Sequence, residues 1–522
     1  MGSARLLLLV LVLLPALLAG GCADGARILA AVPFPSVSHQ YPLRMIVLEL
    51  VKRGHEVTFI TTDPIKKNIA NYTEIDISPA YRYLRKTFDW MEMAKHAWDP
   101  VEMLWGMEDM AGPICEDGLK SPEMLKFLKS NKQQYDLVIV ERLLTPCFYA
   151  LQHLAGSPPL VGFVSLGAYP YTHWSHGSPD NPAYLPSWVL PYSDHMTFWQ
   201  RLYSTYFWLY LNYVWFYVVL PRHDKLQKQY FGPEVPSIYE LERNFSFMIL
   251  SNHFIENYPR PNLPNFIELT GLHVKPELEP LPKDIQEWLD GAKEDVIYFS
   301  LGTNVIGSTM PPEKRQAFLD AFSELPQRVL WKWEKDDATV LPANVKTSKW
   351  LPQQSVLAHP KVRLFITQGG LQSFNEASYH GVPLIGIPFH GDQHHNVAKM
   401  VAAGIGYELQ FRHVTKDTAL KAIKTVLEDK RYRENMKKLS AVYREHQAES
   451  LPRAVWWIEY LLRHNGAPHL QSAASQLSWY QLLLLDVLAF LLAVTAAAAY
   501  AVYALARYAI SFVTKAPKVK KH

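Results

Sequence analysis

The chain has 522 residues, of which 49% are hydrophobic, 19% charged and 13% aromatic, with a formal net charge of +3. That length exceeds a single compact core and implies at least two domains, while five of the basic residues fall after position 506, leaving a near-neutral body without the basic face that nucleic-acid binding requires. Three cysteines do not make a disulfide framework, so the fold must rest on its apolar core.

Residues 1–23 carry Arg5, an apolar run and then small residues. This is the pattern of a cleavable secretory signal, with cleavage expected near 21–23 and Cys22 lost with it. Residues 27–34 (RILAAVPF) read as a buried strand. A loop over 35–39 leads into a helix that stops at Arg53-Gly54, where glycine suits a helix C-cap. Residues 56–62 (EVTFITT) form the next strand. Such a β–α–β unit implies a parallel sheet whose functional edge lies at the strand C-termini. Strands over 135–140 and 160–165 continue the pattern. The stretch 198–220 is crowded with aromatics but interrupted by Gln200, Arg201 and Asn212. It is expected to lie on a membrane surface or pack within the first domain rather than to span.

The Pro-rich, charged segment over 274–283 (VKPELEPLPK) reads as a linker. A second α/β series follows, with strands expected over 296–301, 329–333, 363–367 and 383–387 and a helix opening at Pro311-Pro312. Two doubly wound domains then face each other across a cleft. Residues 482–506 are apolar except for Asp486, long enough to cross about 30 Å of hydrocarbon. The basic tail after them places the C-terminus in the cytosol and the body on the other side, a type I topology. Sequons at Asn71 and Asn244 suit that side, the second in an apolar context that suggests burial. The ending Lys518-Val519-Lys520-Lys521-His522 resembles a dilysine retrieval signal for the endoplasmic reticulum.

The densest chemistry lies in residues 350–393. Trp350 can stack on a flat base and Gln353 can hydrogen-bond a nucleoside. Gln368-Gly369-Gly370 follows a buried strand and precedes a helix, so backbone N–H groups there can approach a diphosphate. Ser373 and Glu376 share one helix face three residues apart, suited to a phosphate and to a pair of ribose hydroxyls. Asp392-Gln393 closes the window after another strand and can grip vicinal sugar hydroxyls. Each piece alone has a plainer reading: a core tryptophan, a structural turn, a carboxylate favouring the helix dipole, a helix cap at Asp392. His390, His394 and His395 are expected to face solvent rather than hold a metal. In the first domain, His39 sits in the loop after the first strand, and an imidazole with pKa near ~6.5 suits proton abstraction near neutral pH.

The order and spacing of these pieces resemble the UDP-glycosyltransferase family, closest to its membrane-bound animal branch and to the invertebrate type. The resemblance implies an α/β chain of the GT-B type, with two Rossmann-like domains and one C-terminal transmembrane helix. Its domains would be a signal at 1–23, an acceptor domain at 24–275, a linker at 276–283 and a UDP-sugar domain at 284–450. Helices approaching the membrane at 451–481, the span at 482–506 and a cytosolic tail at 507–522 would follow. Family roles fall on Trp350, Gln353, Gly369, Gly370, Ser373, Glu376, Asp392 and Gln393, and on a phosphate-side loop containing Ser300, Gly302 and Thr303. His39 falls on the family's catalytic base and Glu141 on the carboxylate that orients it, where the family usually has Asp.

Two departures matter. Gln368 replaces the family's usual His beside the diphosphate, and Ser251 stands where glucuronate-using relatives place an Arg before Asn252. The expected reaction is inverting transfer of a hexose from a UDP-sugar, UDP-glucose rather than UDP-glucuronate, to a hydroxyl of a small lipophilic acceptor, as in detoxification. No metal or other cofactor is expected. The setting implied is the endoplasmic reticulum membrane with a lumenal body, and homo-oligomerisation is left open. A UDP-glucuronosyltransferase and a catalytically silent paralogue that binds lipophilic ligands are the alternatives.

Overall fold

The computed structural model describes residues 25–87, 90–130, 133–336 and 340–514, without the side chains of 85–90, 512 and 513. The expected signal and the dilysine tail lie outside these residues. The first sheet is built from β1 (Arg27–Val32), β2 (Glu56–Thr61), β3 (Tyr72–Asp76), β4 (Leu137–Glu141), β5 (Leu160–Val164), β6 (Phe245–Leu250) and β7 (Phe266–Glu268). Its order is β3-β2-β1-β4-β5-β6-β7 and every pairing is parallel. β4, β5 and β6 are buried along their whole length, as expected of strands covered on both faces. The helix α1 (Val37–Lys52) covers one face through Leu43, Ile46, Val47 and Leu50. On the other face lie α2 (Pro100–Leu119), which packs through Met103, Leu104, Ala111 and Cys115, and α3 (Phe198–Val214), through Phe207, Leu211 and Val214. A π-helical turn joins α3 directly to α4 (Leu220–Phe231).

The second sheet contains β8 (Val296–Ser300), β9 (Arg328–Lys332), β10 (Val345–Ser348), β11 (Val362–Thr367), β12 (Leu384–Gly386) and β13 (Gly406–Glu408), in the order β10-β9-β8-β11-β12-β13 and again parallel. Around it lie α5 (Gln353–Ala358), α6 (Leu371–His380) and α7 (Gln393–Ala402). α8 (Lys430–Arg463) begins against this sheet, where Met436 joins its core, and ends against the first, where Ala454, Val455, Ile458 and Leu461 join the cluster of β1 and α1. It therefore runs without a break through the expected boundary at 450.

In both sheets the strand order reverses once, between β1 and β4 and between β8 and β11. Loops leaving the strand C-termini diverge there and open a crevice, the usual ligand position in doubly wound sheets. The register puts Ser300, Thr367 and Gly386 side by side at this edge of the second sheet, and Glu141 beside Phe163 in the first.

Cys115 and Cys147 form a disulfide, a pairing their spacing did not announce. Asn71 and Asn244 are both exposed. The apolar run that suggested burial of Asn244 is β6, which begins at the following residue and buries Phe245 and Ser246 instead.

The chain divides after Gln471. The second unit carries α9 (Leu485–Thr514), of which Leu485–Ser511 is long and apolar enough to cross a membrane. It starts three residues later than the hydropathy run because Leu484 adopts φ +55° and interrupts the helix.

Candidate functional site

His39 lies in the first turn of α1, and its Nδ1 is 2.6 Å from Oε1 of Glu141 at the end of β4. Glu141 is fully buried and His39 nearly so. Ser165, immediately after β5, completes the group: its Oγ is 2.9 Å from His39 Nδ1 and donates to Glu141 Oε1 at 3.1 Å. Ser165 has no motif around it and was missed in the sequence. Only its place at the end of the neighbouring strand could have indicated it. Asp136 accepts from the backbone N–H of Arg27, at the opposite edge of the sheet.

The second sheet supplies a polar cluster across the crevice. Gln353 Nε2 donates to Glu376 Oε2 at 2.6 Å and to Ser373 Oγ at 3.1 Å, while Tyr298 Oη donates to Gln353 Oε1. Gln354 donates to Glu376 Oε1, and His273, after the first sheet's last strand, lies 3.5 Å from the same oxygen. Burial pushes the Glu376 carboxyl up to about 7. Desolvation disfavours its charged form, only partly offset by the two glutamine amides. Trp350 is exposed and borders the cavity, with Lys332 Nζ 6.0 Å above its ring. Lys332, also unforeseen in the sequence, donates to Gly302 O at 2.9 Å and pairs with Glu334 at 2.7 Å.

Two glycines are required by a left-handed backbone. Gly302 has φ +79°, and a Cβ there would fall 2.6 Å from Gln368 Nε2. Gly369 has φ +84°, and a Cβ there would fall 2.5 Å from Val397. Gly370 is the N-cap of α6, so the first N–H groups of that helix face the turn. Ser300 and Thr303 border the same space. Asp392 does not cap α7 with its side chain; its Oδ2 accepts from Asn396 at 2.6 Å, and burial raises its pKa. Gln393 turns its Oε1 back to the backbone N–H groups of Phe389 and His390, so its carbonyl holds its own loop rather than the crevice.

The three nearby histidines depart from the solvent-facing expectation. His395 bonds Leu190 O and is 3.3 Å from Asn257 Oδ1, and His394 stacks on Trp98 at 4.1 Å. Burial depresses His390 to about 3 and the other two to about 4. Among the described residues, the trio within metal-ligating reach is Cys115, Cys147 and His223, two of which are joined as the disulfide.

A cavity of about 340 Å³ takes in both halves. Its polar lining includes His39, Ser165, Ser300, Gly302, Thr303, Lys332, Trp350, Gln353, Gln368, Gly370, Ser373, Glu376, Asp392 and Gln393. Its apolar lining is methionine-rich, with Phe34, Leu84, Met93, Met103, Met107, Met110, Leu143 and Trp188, and the Phe34 ring lies 4.7 Å from that of His39. Ser251 is buried at the end of β6, its backbone N–H bonded to Val164 O, outside the cavity lining.

The sequence pattern of the family described as UDP-glucoronosyl and UDP-glucosyl transferase matches residues 28–521. The chain belongs to the UDP-glycosyltransferase family. It is 37% identical to "UDP-glucosyltransferase 2" of Dactylopius coccus over 486 residues, 93% of each chain. It is also 34% identical to "UDP-glucuronosyltransferase 2B10" of Homo sapiens over 474 residues, covering 87% of this chain and 88% of that one. As a UDP-glycosyltransferase it has the GT-B fold. Among solved structures it is similar to a UDP-glucose: anthocyanidin 3-O-glucosyltransferase in complex with UDP, with TM-score 0.54, 18% identity and coverage of 84% of this chain and all of that one. The calicheamicin glycosyltransferase CalG4 is comparable, with TM-score 0.56 and 18% identity over 84% of this chain and 99% of the other.

Proposed function

We propose that this UDP-glycosyltransferase moves glucose from UDP-glucose to a hydroxyl of a small lipophilic acceptor with inversion. The observation that carries this reading is the buried His39–Glu141 contact of 2.6 Å at the wall of a cavity whose other wall is the Gln353, Ser373 and Glu376 cluster. With Nδ1 engaged by Glu141, Nε2 of His39 is the nitrogen left to take the acceptor proton. The acceptor oxygen then bonds the anomeric carbon from the face opposite UDP, the bond to the diphosphate oxygen breaks, and UDP departs with the electron pair. Glu141 stabilises the imidazolium, as the carboxylate of a catalytic triad does. Ser165 fixes the carboxylate oxygen that faces the ring.

On the donor side, Trp350 would stack on the uracil, Gln353 would hydrogen-bond it, and Glu376 would accept from the ribose hydroxyls. The α6 N-terminus behind Gly369 and Gly370, with Ser373, Gln368 and the Ser300, Gly302, Thr303 loop, would hold the diphosphate. These donors carry the leaving-group charge in a reading that needs no metal or other cofactor. Asp392 would grip sugar hydroxyls, with Gln393 shaping its loop. Glucose is preferred over glucuronate because Ser251 brings no cation to a sugar carboxylate, and Lys332 is already paired with Glu334. A relative carrying the name glucosyltransferase agrees with that choice. The apolar, methionine-rich lining of the cavity suits a lipophilic acceptor of varied shape. The body would sit in the lumen of the endoplasmic reticulum, with Asn71 and Asn244 open to glycosylation.

The test is turnover by membranes containing the full chain, supplied with UDP-glucose or UDP-glucuronate and a panel of phenols and alcohols. UDP-glucose should support transfer and His39→Ala should abolish it. Turnover with UDP-glucuronate alone would overturn the donor assignment, and an active His39→Ala enzyme would overturn the base.

A further inference from the structure

The segment from α3 through the π-helical turn to α4 is one uninterrupted helical rod. Its inward side is filled by the first domain's core, with Phe207, Leu211, Val214 and Trp215 almost completely buried. Its outward side is not polar. Phe198, Trp199, Leu202, Tyr206, Leu209 and Tyr213 are each more than half exposed. At about 100° per residue these six fall within an arc of about 100°, with exposed Arg201 and Thr205 along one border. The stripe is about 22 Å long at 1.5 Å per residue, and the π-helical turn carries it on to Tyr217, whose ring lies 5.3 Å from that of Tyr213.

Single exposed apolar side chains are ordinary, but a contiguous stripe of this size marks a surface that meets a partner. The identity of the partner follows from composition and tethering. Trp and Tyr place an apolar body and a polar tip at one depth, which suits the headgroup level of a bilayer. The same chain carries Leu485–Ser511, an apolar helix long enough to cross a membrane and with no buried stretch, so a bilayer is the surface to which the chain is tethered. Among the described residues no other helix meets that length and apolarity. The α3 stripe therefore suits lying on a membrane rather than crossing it.

We propose that this stripe docks the body onto the lipid interface, with the α3 axis along the membrane plane and the six side chains at headgroup depth. Arg201 is the one basic residue beside it on α3, so ring insertion rather than attraction to anionic lipid drives the contact. The docked helix also braces the cavity wall, because Trp105 of α2 donates to Tyr210 Oη of α3 at 2.7 Å.

The experiment uses the full chain in nanodiscs of phosphatidylcholine, with an environment-sensitive fluorophore on Tyr206→Cys or Tyr213→Cys. Glu313→Cys and Lys438→Cys, exposed on helices away from the stripe, serve as controls. Lipids with a quencher near the headgroup should quench the stripe reporters at least about twofold more than the controls, unchanged by raised salt. Quenching no greater than in the controls would overturn the proposal. So would stronger quenching by a deep-chain quencher, which means a span, or cross-linking between copies through Tyr206→Cys, which means a second chain covers the stripe. Disappearance of the signal at high salt would overturn the ring-insertion basis. None of these readouts depends on the enzyme's substrate.

Discussion

Gln372, on helix α6 of the second sheet, donates its side-chain amide to the backbone carbonyl of Ser38, the residue before His39. From the loop after β8, Asn304 donates to Ser36 Oγ at 3.3 Å. The short segment carrying the proposed base is therefore held by both elements that would cradle the diphosphate, the helix α6 and the loop after β8. Removing the Gln372 contact by Gln372→Ala should lower kcat about tenfold by loosening His39, with a donor KM change below about twofold. Steady-state kinetics decide this. A KM effect larger than the kcat effect would mean that Gln372 serves the ligand instead.

Glu141→Gln keeps the shape of the buried contact and removes its charge. The imidazolium formed during reaction would lose its stabiliser, and kcat should fall by about 10²–10⁴-fold. Ser165→Ala should cost much less, about three- to tenfold, because it leaves the carboxylate in place. Single-turnover rates on both variants check the order. Equal losses would contradict the roles assigned.

Donor affinity should depend on pH through Glu376. Burial raises its pKa from the usual carboxylate range to about 7, so the carboxyl gains a proton as pH falls through that value and loses one of its acceptor sites for ribose. The KM for UDP-glucose should rise below pH ~7 and level off above it. Glu376→Gln should raise KM throughout and flatten the profile. The sign for folding is opposite: a carboxyl with a raised folded-state pKa favours the native state at low pH, and that contribution is lost as pH rises through about 7.

Gln368 Oε1 is buried without a hydrogen-bond partner among the described residues, and its Nε2 faces Gly302 and Gly370. A neutral amide donates but carries no charge. Gln368→His should raise kcat a few-fold through stronger leaving-group stabilisation, whereas Gln368→Ala should lower it about tenfold or more. Comparing kcat of the two variants tests whether this position faces the departing diphosphate.

Beside the site, fully buried Arg142 pairs with fully buried Glu242 and also donates to Ser175 at 2.6 Å. Glu242→Ala would leave an uncompensated guanidinium in the core next to Glu141. It should cost about 3–5 kcal/mol of stability, read as a fall in thermal midpoint.

The legible part of the fold was its centre. The strand–helix–strand reading over 27–62 corresponds to β1, α1 and β2, and the four strands expected in the second half correspond to β8, β9, β11 and β12. Four unread strands, β3, β7, β10 and β13, are the edges of the two sheets. Edge strands are short and only partly covered, so they carry no continuous apolar run. β6 is different: its run FSFMIL is fully buried, but its first two residues also complete the Asn244 sequon, so the same stretch carries two readings.

For the site the division is one of sequence distance. Trp350, Gln353, Ser373 and Glu376 lie within adjoining strand–helix units, where helical spacing and turn chemistry already place them near one another, so the sequence alone determined that these side chains share one edge of the second sheet. His39 comes from the helix that follows β1, and Glu141 and Ser165 from the ends of β4 and β5, with 102 residues separating the first pair. Only the sheet order, with β1 beside β4 and β4 beside β5, brings their side chains within hydrogen-bond distance. The tertiary structure likewise decided that Gln393 bonds its own loop and that the aromatic helix keeps one face bare. Both depend on what packs against a side chain, and periodicity along the chain does not carry that information.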